Sequence, residues 1–254
     1  MKTKKSLQSV HNGLMILHLF STEKSTWGVT EISEELSLSK STVSRLVSEL
    51  VEEGFLEKNG KKYQLGVSVL CLSGVITSHS DIYSEAKPAL ETLAAKVNET
   101  AHISILEDSN ITYLHKVECS QPIELLSSIG KTNPATCTSS GKVILAYQND
   151  QVLNKILHYE LVKCGPKSVT DKQILLNQLK EIKKQGYAIC VNEMFDEVVS
   201  IAAPVRDFTG EVIAAVSIVG PLYRMKQIKF DDYIREVSLA SNEISDKLGF
   251  LTFS

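Results

Sequence analysis

The sequence predicts an α+β protein of two unequal parts, and three observations carry that prediction. Residues 30–66 read as two short helices, a tight turn between them, and a lysine-rich two-stranded hairpin. Residues 99–254 alternate β-branched runs with helical periodicity, the pattern of a mainly antiparallel sheet covered by helices. At 254 residues the chain is long enough for one small and one larger hydrophobic core.

The elements follow in order. Ser9 to Phe20 predicts a first helix with Val10, Leu14, Leu17 and Phe20 as its packing stripe, weakened by Gly13. Thr30 is placed to cap a second helix in which Ile32 and Leu36 share a face. Ser37-Leu38-Ser39 breaks the pattern, and a third helix buries Val43, Leu46, Val47 and Leu50 at i, i+3, i+4 and i+7. That assignment turns Ser39, Lys40, Ser41, Thr42, Ser44, Arg45 and Ser48 outward. Short hydroxyls and long cations suit phosphate oxygens and base edges. Gly54 ends the helix, and Phe55-Leu56 opens a strand. Asn59-Gly60 signals a two-residue hairpin turn, with Lys58, Lys61 and Lys62 around it and Tyr63 and Leu65 on the return. These pieces make a winged helix-turn-helix DNA-binding domain over residues 1–66. Thr30, the outward residues of the third helix and the three wing lysines are its expected DNA contacts. Arg45 is the candidate for base reading, since a guanidinium can grip guanine with two hydrogen bonds.

Residues 67–98 are expected to be a helical linker and entry helix: an apolar run from Val67 to His79, a polar break at Ser78–Asp81, and a helix Ile82–Asn98 that Pro88 kinks locally. The domain at 99–254 begins with a hairpin, Ala101–Leu106 and Ile111–Val117. Helices are expected at Ser140–Tyr147, Asp150–Leu161, Asp171–Lys184 and Phe230–Leu248, the first opening on Ser139-Ser140-Gly141. Strands are expected at Tyr187–Val191, Ser200–Arg206 and Val212–Val219, the last two joined by the turn Asp207-Phe208-Thr209-Gly210. This order is that of a GAF-like small-molecule sensor, an effector-binding domain.

Composition narrows the class. Hydrophobic residues make up 43% of the chain, as in ordinary globular proteins. No apolar run reaches a membrane span, and polar residues follow the basic N-terminus too closely for a signal peptide. Five scattered cysteines without a CxxC pair fit a reducing cytoplasm. Residues 1–66 hold nine Lys/Arg against eight Asp/Glu, and the rest hold 18 against 22. A weakly positive head on an acidic body suits a DNA reader.

In the right order along nearly the whole chain, the residues resemble the IclR family of bacterial transcriptional regulators. The matching pieces are Ser41-Thr42-Val43-x-Arg45-Leu46, Gly54-Phe55-Leu56 and Tyr63-x-Leu65-Gly66. In the second part they are Pro134, Ser140-Gly141-Lys142, Leu145-Ala146, Gly186-Tyr187-Ala188, Ile201-Ala202-Ala203-Pro204-Val205 and Ser217-Ile218-Val219-Gly220-Pro221. The resemblance implies a homodimer, often a dimer of dimers, on double-stranded operator DNA, switched by a small metabolite of the organic-acid class. By position it places the effector pocket on Ser139, Ser140, Gly141, Cys190, Val198, Ser200, Ser217 and Val219. Leu125 and Ser120-Gln121-Pro122 are candidates for lining or covering it. The chain departs from the family where Glu197 replaces a frequent glycine, Met194 one of an acidic pair, Cys190 a polar residue, and Val219 a hydroxyl.

Other functions have less behind them. An enzyme using Cys190 or Cys137 as nucleophile would need a motif that the sequence lacks: no nucleophile elbow and no glycine-rich phosphate loop are present. His115 and Cys119, if on one strand, would lie about 13 Å apart, too far to share a metal. No cofactor and no metal is expected.

Overall fold

The computed structural model describes residues 7–21, 24–78, 81–123 and 129–250. The chain forms two compact units, 1–79 and 80–254. Residues 67–98 are thereby shared between the two, and the expected break around residues 79–80 lies outside the described residues.

The first unit contains α1 (Gln8–His18), α2 (Val29–Glu35), α3 (Lys40–Glu52), the hairpin β1 (Leu56–Asn59) and β2 (Lys62–Leu65), and α4 (Val67–Ser78). Its core is Ile16, Trp27, Ile32, Val43, Val47 and Leu56, drawn from the three helices, the hairpin and the loop before α2. In α3 Val43 and Val47 are fully buried, and Leu46 and Leu50 pack beside them, as the periodicity predicts.

Three local expectations are corrected. Helix α1 turns Asn12 and Ile16 inward, while Val10 and Leu14 are 56% and 54% exposed. Apolar residues surround this helix, so spacing alone could not say which face meets the core. Asn12 is accommodated because its Oδ1 accepts a hydrogen bond of 2.8 Å from Gln8 Nε2. Thr30 lies inside α2 and does not cap it. The cap is Gly28, whose N–H donates to Glu31 Oε2 at 2.7 Å. In the wing, Asn59 pairs with Lys62, so the two loop residues are Gly60 and Lys61, with Gly60 at φ 62° where a type II′ turn takes glycine. Asn59 stays in the strand, where its Nδ2 donates to Gln64 Oε1. Reciprocal backbone bonds between Trp27 and Tyr63, 2.9 and 2.8 Å long, tie the hairpin to the helices.

The second unit contains α5 (Asp81–Val97), β3 (Thr100–Glu107), β4 (Asn110–Val117), β5 (Thr132–Pro134), a 3₁₀ turn (Ala135–Cys137), α6 (Ser139–Ala146), α7 (Asp150–Leu157) and α8 (Lys172–Gln185). There follow β6 (Ala188–Val191), β7 (Val198–Arg206), β8 (Val212–Pro221), a 3₁₀ turn (Gln227–Lys229) and α9 (Phe230–Lys247). Six strands form one sheet in the order β5-β4-β3-β8-β7-β6, and every pairing is antiparallel. Helix α5 runs through Pro88 without a break. Helix α7 stops at Leu157, short of the expected Leu161. Strand β5, at three residues, is too short to leave a periodic signature.

Alternation along the strands sorts the sheet into two buried faces. Ile103, Val199, Ile201, Val216 and Ile218 face α5 and α9, and Leu90, Leu93, Val237 and Ile244 complete that layer. The other face meets α6, α7 and α8 through Ala202, Ala215, Val143, Leu145 and Leu175. At one end of this second face the apolar side chains give way to hydroxyls. Across the register, Val219 stands beside Ser200 and Ser200 beside Cys190, while His102 stands beside Ser217.

Beyond that end, the Glu99 carboxylate, fully buried, accepts two bonds of 2.6 Å from Arg224 Nε and NH2. Removing the arginine strands a charge in the interior, at a cost of about 3–5 kcal/mol. Arg224→Ala is therefore expected to lower the unfolding midpoint of the second unit strongly in urea titration of the full chain. Lys155→Ala, which breaks the exposed pair with Asp108, should leave the midpoint where it is.

Candidate functional site: a nucleic-acid interface and an internal cavity

The first site is the outer face of α3 with the wing. Ser39 caps α3, its Oγ accepting from Thr42 N–H at 3.1 Å and lying 2.9 Å from Ser41 Oγ and 2.8 Å from Thr42 Oγ1. Lys40, Ser41, Thr42, Ser44, Arg45 and Ser48 are all exposed, as is Thr30 in the first turn of α2. Arg45 borders a groove of about 470 Å³ between α3 and α1, with Gln8, Ser9 and Asn12 across from it. On the wing, Lys58 lies on β1 and Lys61 at the tip, both exposed. Lys62 is engaged: its ammonium lies 3.1 Å from Glu31 Oε1, the carboxylate that also caps α2. These contacts, the Gly28 N–H first, hold the Glu31 carboxyl below its usual range. Lys62 thus fastens the wing to α2 and offers less free charge to a phosphate than Lys58 or Lys61.

The second site lies under the start of α6. Thr138 caps that helix, accepting from Gly141 N–H at 3.1 Å. This leaves the N–H groups of Ser139 and Ser140, the first of the helix, without an intrahelical acceptor. A cavity of about 40 Å³ is lined here by Ser139, Ser140, Val198, Ser200, Ser217 and Val219, together with His102, Tyr113, Thr138, Met194 and Phe195. Six residues expected on the sequence are brought together in this way. His102 packs against Tyr113 with ring centroids 5.0 Å apart, and Asn133 Nδ2 donates to the Tyr113 hydroxyl at 3.2 Å. Burial pushes the His102 imidazole down to about 3, helped by the Lys116 charge, so the ring is neutral in ordinary buffers.

Gly141 and Cys190 stand outside the lining, as do Ser120, Gln121 and Pro122, and Leu125 lies outside the described residues. Gly141 is fully occupied: its N–H serves the cap, and a side chain there would meet the Ala135 carbonyl oxygen at 2.1 Å. Cys190 is buried one strand beyond Ser200, near Lys142 and Glu193, and burial pushes its thiol well up. A thiol held in that state is a poor nucleophile. His102 and Tyr113 could have been found in the sequence, since alternation puts them on the hydroxyl face. Met194 and Phe195 sit in an irregular segment that periodicity cannot orient. Among the described residues no cluster of three His, Cys, Asp or Glu side chains is arranged to hold a metal ion. Nor is any helix long and apolar enough to cross a membrane.

A helix-turn-helix with a wing in one unit and a polar cavity in the other define the class of helix-turn-helix transcriptional regulators. Comparison with known proteins agrees. Residues 9–60 match the profile described as the IclR helix-turn-helix domain, and residues 75–246 that of the bacterial transcriptional regulator IclR C-terminal domain. The chain belongs to the IclR family of bacterial transcriptional regulators. It is 30% identical to the regulator KdgR of Dickeya chrysanthemi, over 98% of this chain and 82% of that protein. It is 25% identical to the repressor AllR of Salmonella typhimurium LT2, over 97% and 92%. Among solved structures, an IclR homolog from Microbacterium hydrocarbonoxydans complexed with 4-hydroxybenzoate superposes with a TM-score of 0.86, at 25% identity over 94% of this chain and 98% of that one. The relatives are named as regulators, so this is a regulator and not an enzyme.

The depressed His102 value fixes a pH dependence. Above pH 6.5 the ring is neutral folded and unfolded; below it the unfolded chain gains a proton that the folded one refuses until about 3. Stability from this group is therefore full above pH 6.5 and lost as pH falls. Wild type should lose more stability than His102→Asn between pH 7 and pH 5, a window above most carboxylate titrations. Parallel urea midpoints for the two proteins over that window would contradict the assignment.

Proposed function

We propose that this regulator binds a pseudo-palindromic operator in double-stranded DNA as a homodimer or a dimer of dimers, and that a small organic or aromatic acid held in the cavity switches it. The output is repression of a catabolic operon. The observation that carries the DNA part is the outward face of α3, which presents hydroxyls and cations, while its apolar stripe is spent on the core. Arg45 is the base-reading residue. Lys58 and Lys61 supply sequence-independent affinity through phosphates.

Dimerisation is supported by apolar surface that the first unit leaves uncovered. Leu7, Val10 and Leu14 form an exposed row on α1, and Val67, Leu70 and Leu72 are exposed on α4. Exposed apolar residues grouped on one helix face suit contact with a partner. Two heads related by a twofold axis would meet half-sites one helical turn, or a multiple, apart.

The cavity supports an acid as effector. Its lining includes Ser139 and Ser140, whose N–H groups lack an intrahelical acceptor at a helix start, and the hydroxyls of Ser200 and Ser217, all suited to a carboxylate. The rest of its lining includes the apolar side chains Val198, Val219, Met194 and Phe195. The 4-hydroxybenzoate named in the Microbacterium structure belongs to the same chemical class, and the AllR name supports repression. A bound acid moves the equilibrium between DNA-binding forms only by its difference in affinity for them.

Arg45→Ala should cost about 1–3 kcal/mol on operator DNA and relax sequence preference. Lys61→Ala should weaken binding to every duplex alike and reduce the salt slope by about 1. Gel-shift titrations across a salt series separate the two, and identical behaviour would refute the division of labour. Benzoate, as a probe acid, should bind wild type more tightly than Ser217→Ala in calorimetric titration and should change operator affinity. Binding without any change in operator affinity would remove the switch.

A further inference from the structure

The cavity wall contributed by Met194 and Phe195 differs from the rest. Asn192 and Glu193 before it are pinned. Lys167 N–H donates to Asn192 O at 2.9 Å, and Gly165 N–H and Ser168 Oγ donate to Glu193 O at 2.9 and 2.6 Å. The Glu193 carboxylate pairs with the buried Lys142 ammonium on α6, which also donates to Gln178 Oε1 at 2.8 Å. Glu197 after it is pinned as well, its carbonyl accepting from Leu222 N–H at 2.8 Å. Between these anchors, among the described residues, no hydrogen bond holds the backbone of Met194 or Phe195. Both side chains are half-buried and line the cavity.

The ends of this segment are unusual. Asn192 and Glu197 both have left-handed backbones, at φ 59° and 55°. For a residue such as glutamate that conformation is unfavourable, because Cβ crowds the following carbonyl oxygen. The Asn192 Oδ1 is also buried without a hydrogen-bond partner among the described residues. The enclosed space, about 40 Å³, admits water but not a ring, which takes a void of about 150 Å³.

We infer that Met194 and Phe195 form a plug on one wall of the effector site, and that they select the effector: an acid whose apolar body replaces the Phe195 ring as the tip between Asn192 and Glu197 swings out. The inference rests on the effector reading of the cavity. The anchors explain why the motion is confined to the tip, since shifting Glu193 would break a buried ion pair, whereas shifting Phe195 breaks only dispersion contacts. Acids without an apolar body leave the plug in place and gain nothing from its removal. Apparent affinity for a ring-bearing acid is reduced by the small fraction of molecules with the plug out.

Calorimetric titration of the full-length protein with benzoate and with acetate tests this. Phe195→Ala should bind benzoate about tenfold tighter than wild type, because no plug has to leave, while acetate affinity stays within about twofold. In a Phe195→Trp variant, benzoate should shift the added fluorescence to longer wavelength as the introduced indole enters water. Benzoate binding equal to or weaker than wild type in Phe195→Ala, or no shift in the emission of the introduced indole at saturation, overturns the plug and leaves the effector reading intact. Failure of both acids to bind wild type and variants alike overturns the effector reading and the plug with it.

Discussion

The buried ion pair between Lys142 and Glu193 is the contact on which the second site depends. Lys142 is 2% exposed and belongs to the same short helix whose first turn lines the cavity. An ammonium so deep in the protein is tolerable only with a carboxylate and further acceptors around it. Glu193 supplies the charge and Gln178 on α8 the additional acceptor. The pair therefore fixes three elements against one another: α6, α8 and the irregular segment leading into β7. The cavity lies where that segment approaches the start of α6.

The two faces of the six-stranded sheet divide the remaining work. One face, with α5 and α9, is almost wholly aliphatic and carries the larger core. The other begins aliphatic under α6 and α8 and ends in Ser200, Ser217 and His102. Strand alternation makes this possible without disturbing the first face, because neighbouring residues on β7 and β8 belong to different layers. Core packing and the cavity lining are thus carried by alternate positions of the same strands.

Much of this was legible in the sequence, for identifiable reasons. The buried stripe of α3 and the hairpin of β3 and β4 are local signals, and each element formed where its residues indicated. Six cavity residues lie on regular strands or at a helix start, and they came together. The misses have a common cause. Which apolar face of α1 meets the core depends on what packs against it, and the capping of α2 by Glu31 depends on a side chain reaching back three residues. Cys190 shares a sheet row with Ser200, but the row continues beneath Lys142 and Glu193 where the cavity does not. Met194 and Phe195 lie in a segment with no period, so nothing local tells which way they point.

The outer strands of the large sheet have a consequence for assembly. β5 has three residues and ends in Pro134, and β6 has four. Borders this short, one closed by a residue without an amide hydrogen, give an incoming strand almost nothing to register against. Continuous sheets growing from molecule to molecule, the first step toward fibrils, are thereby discouraged.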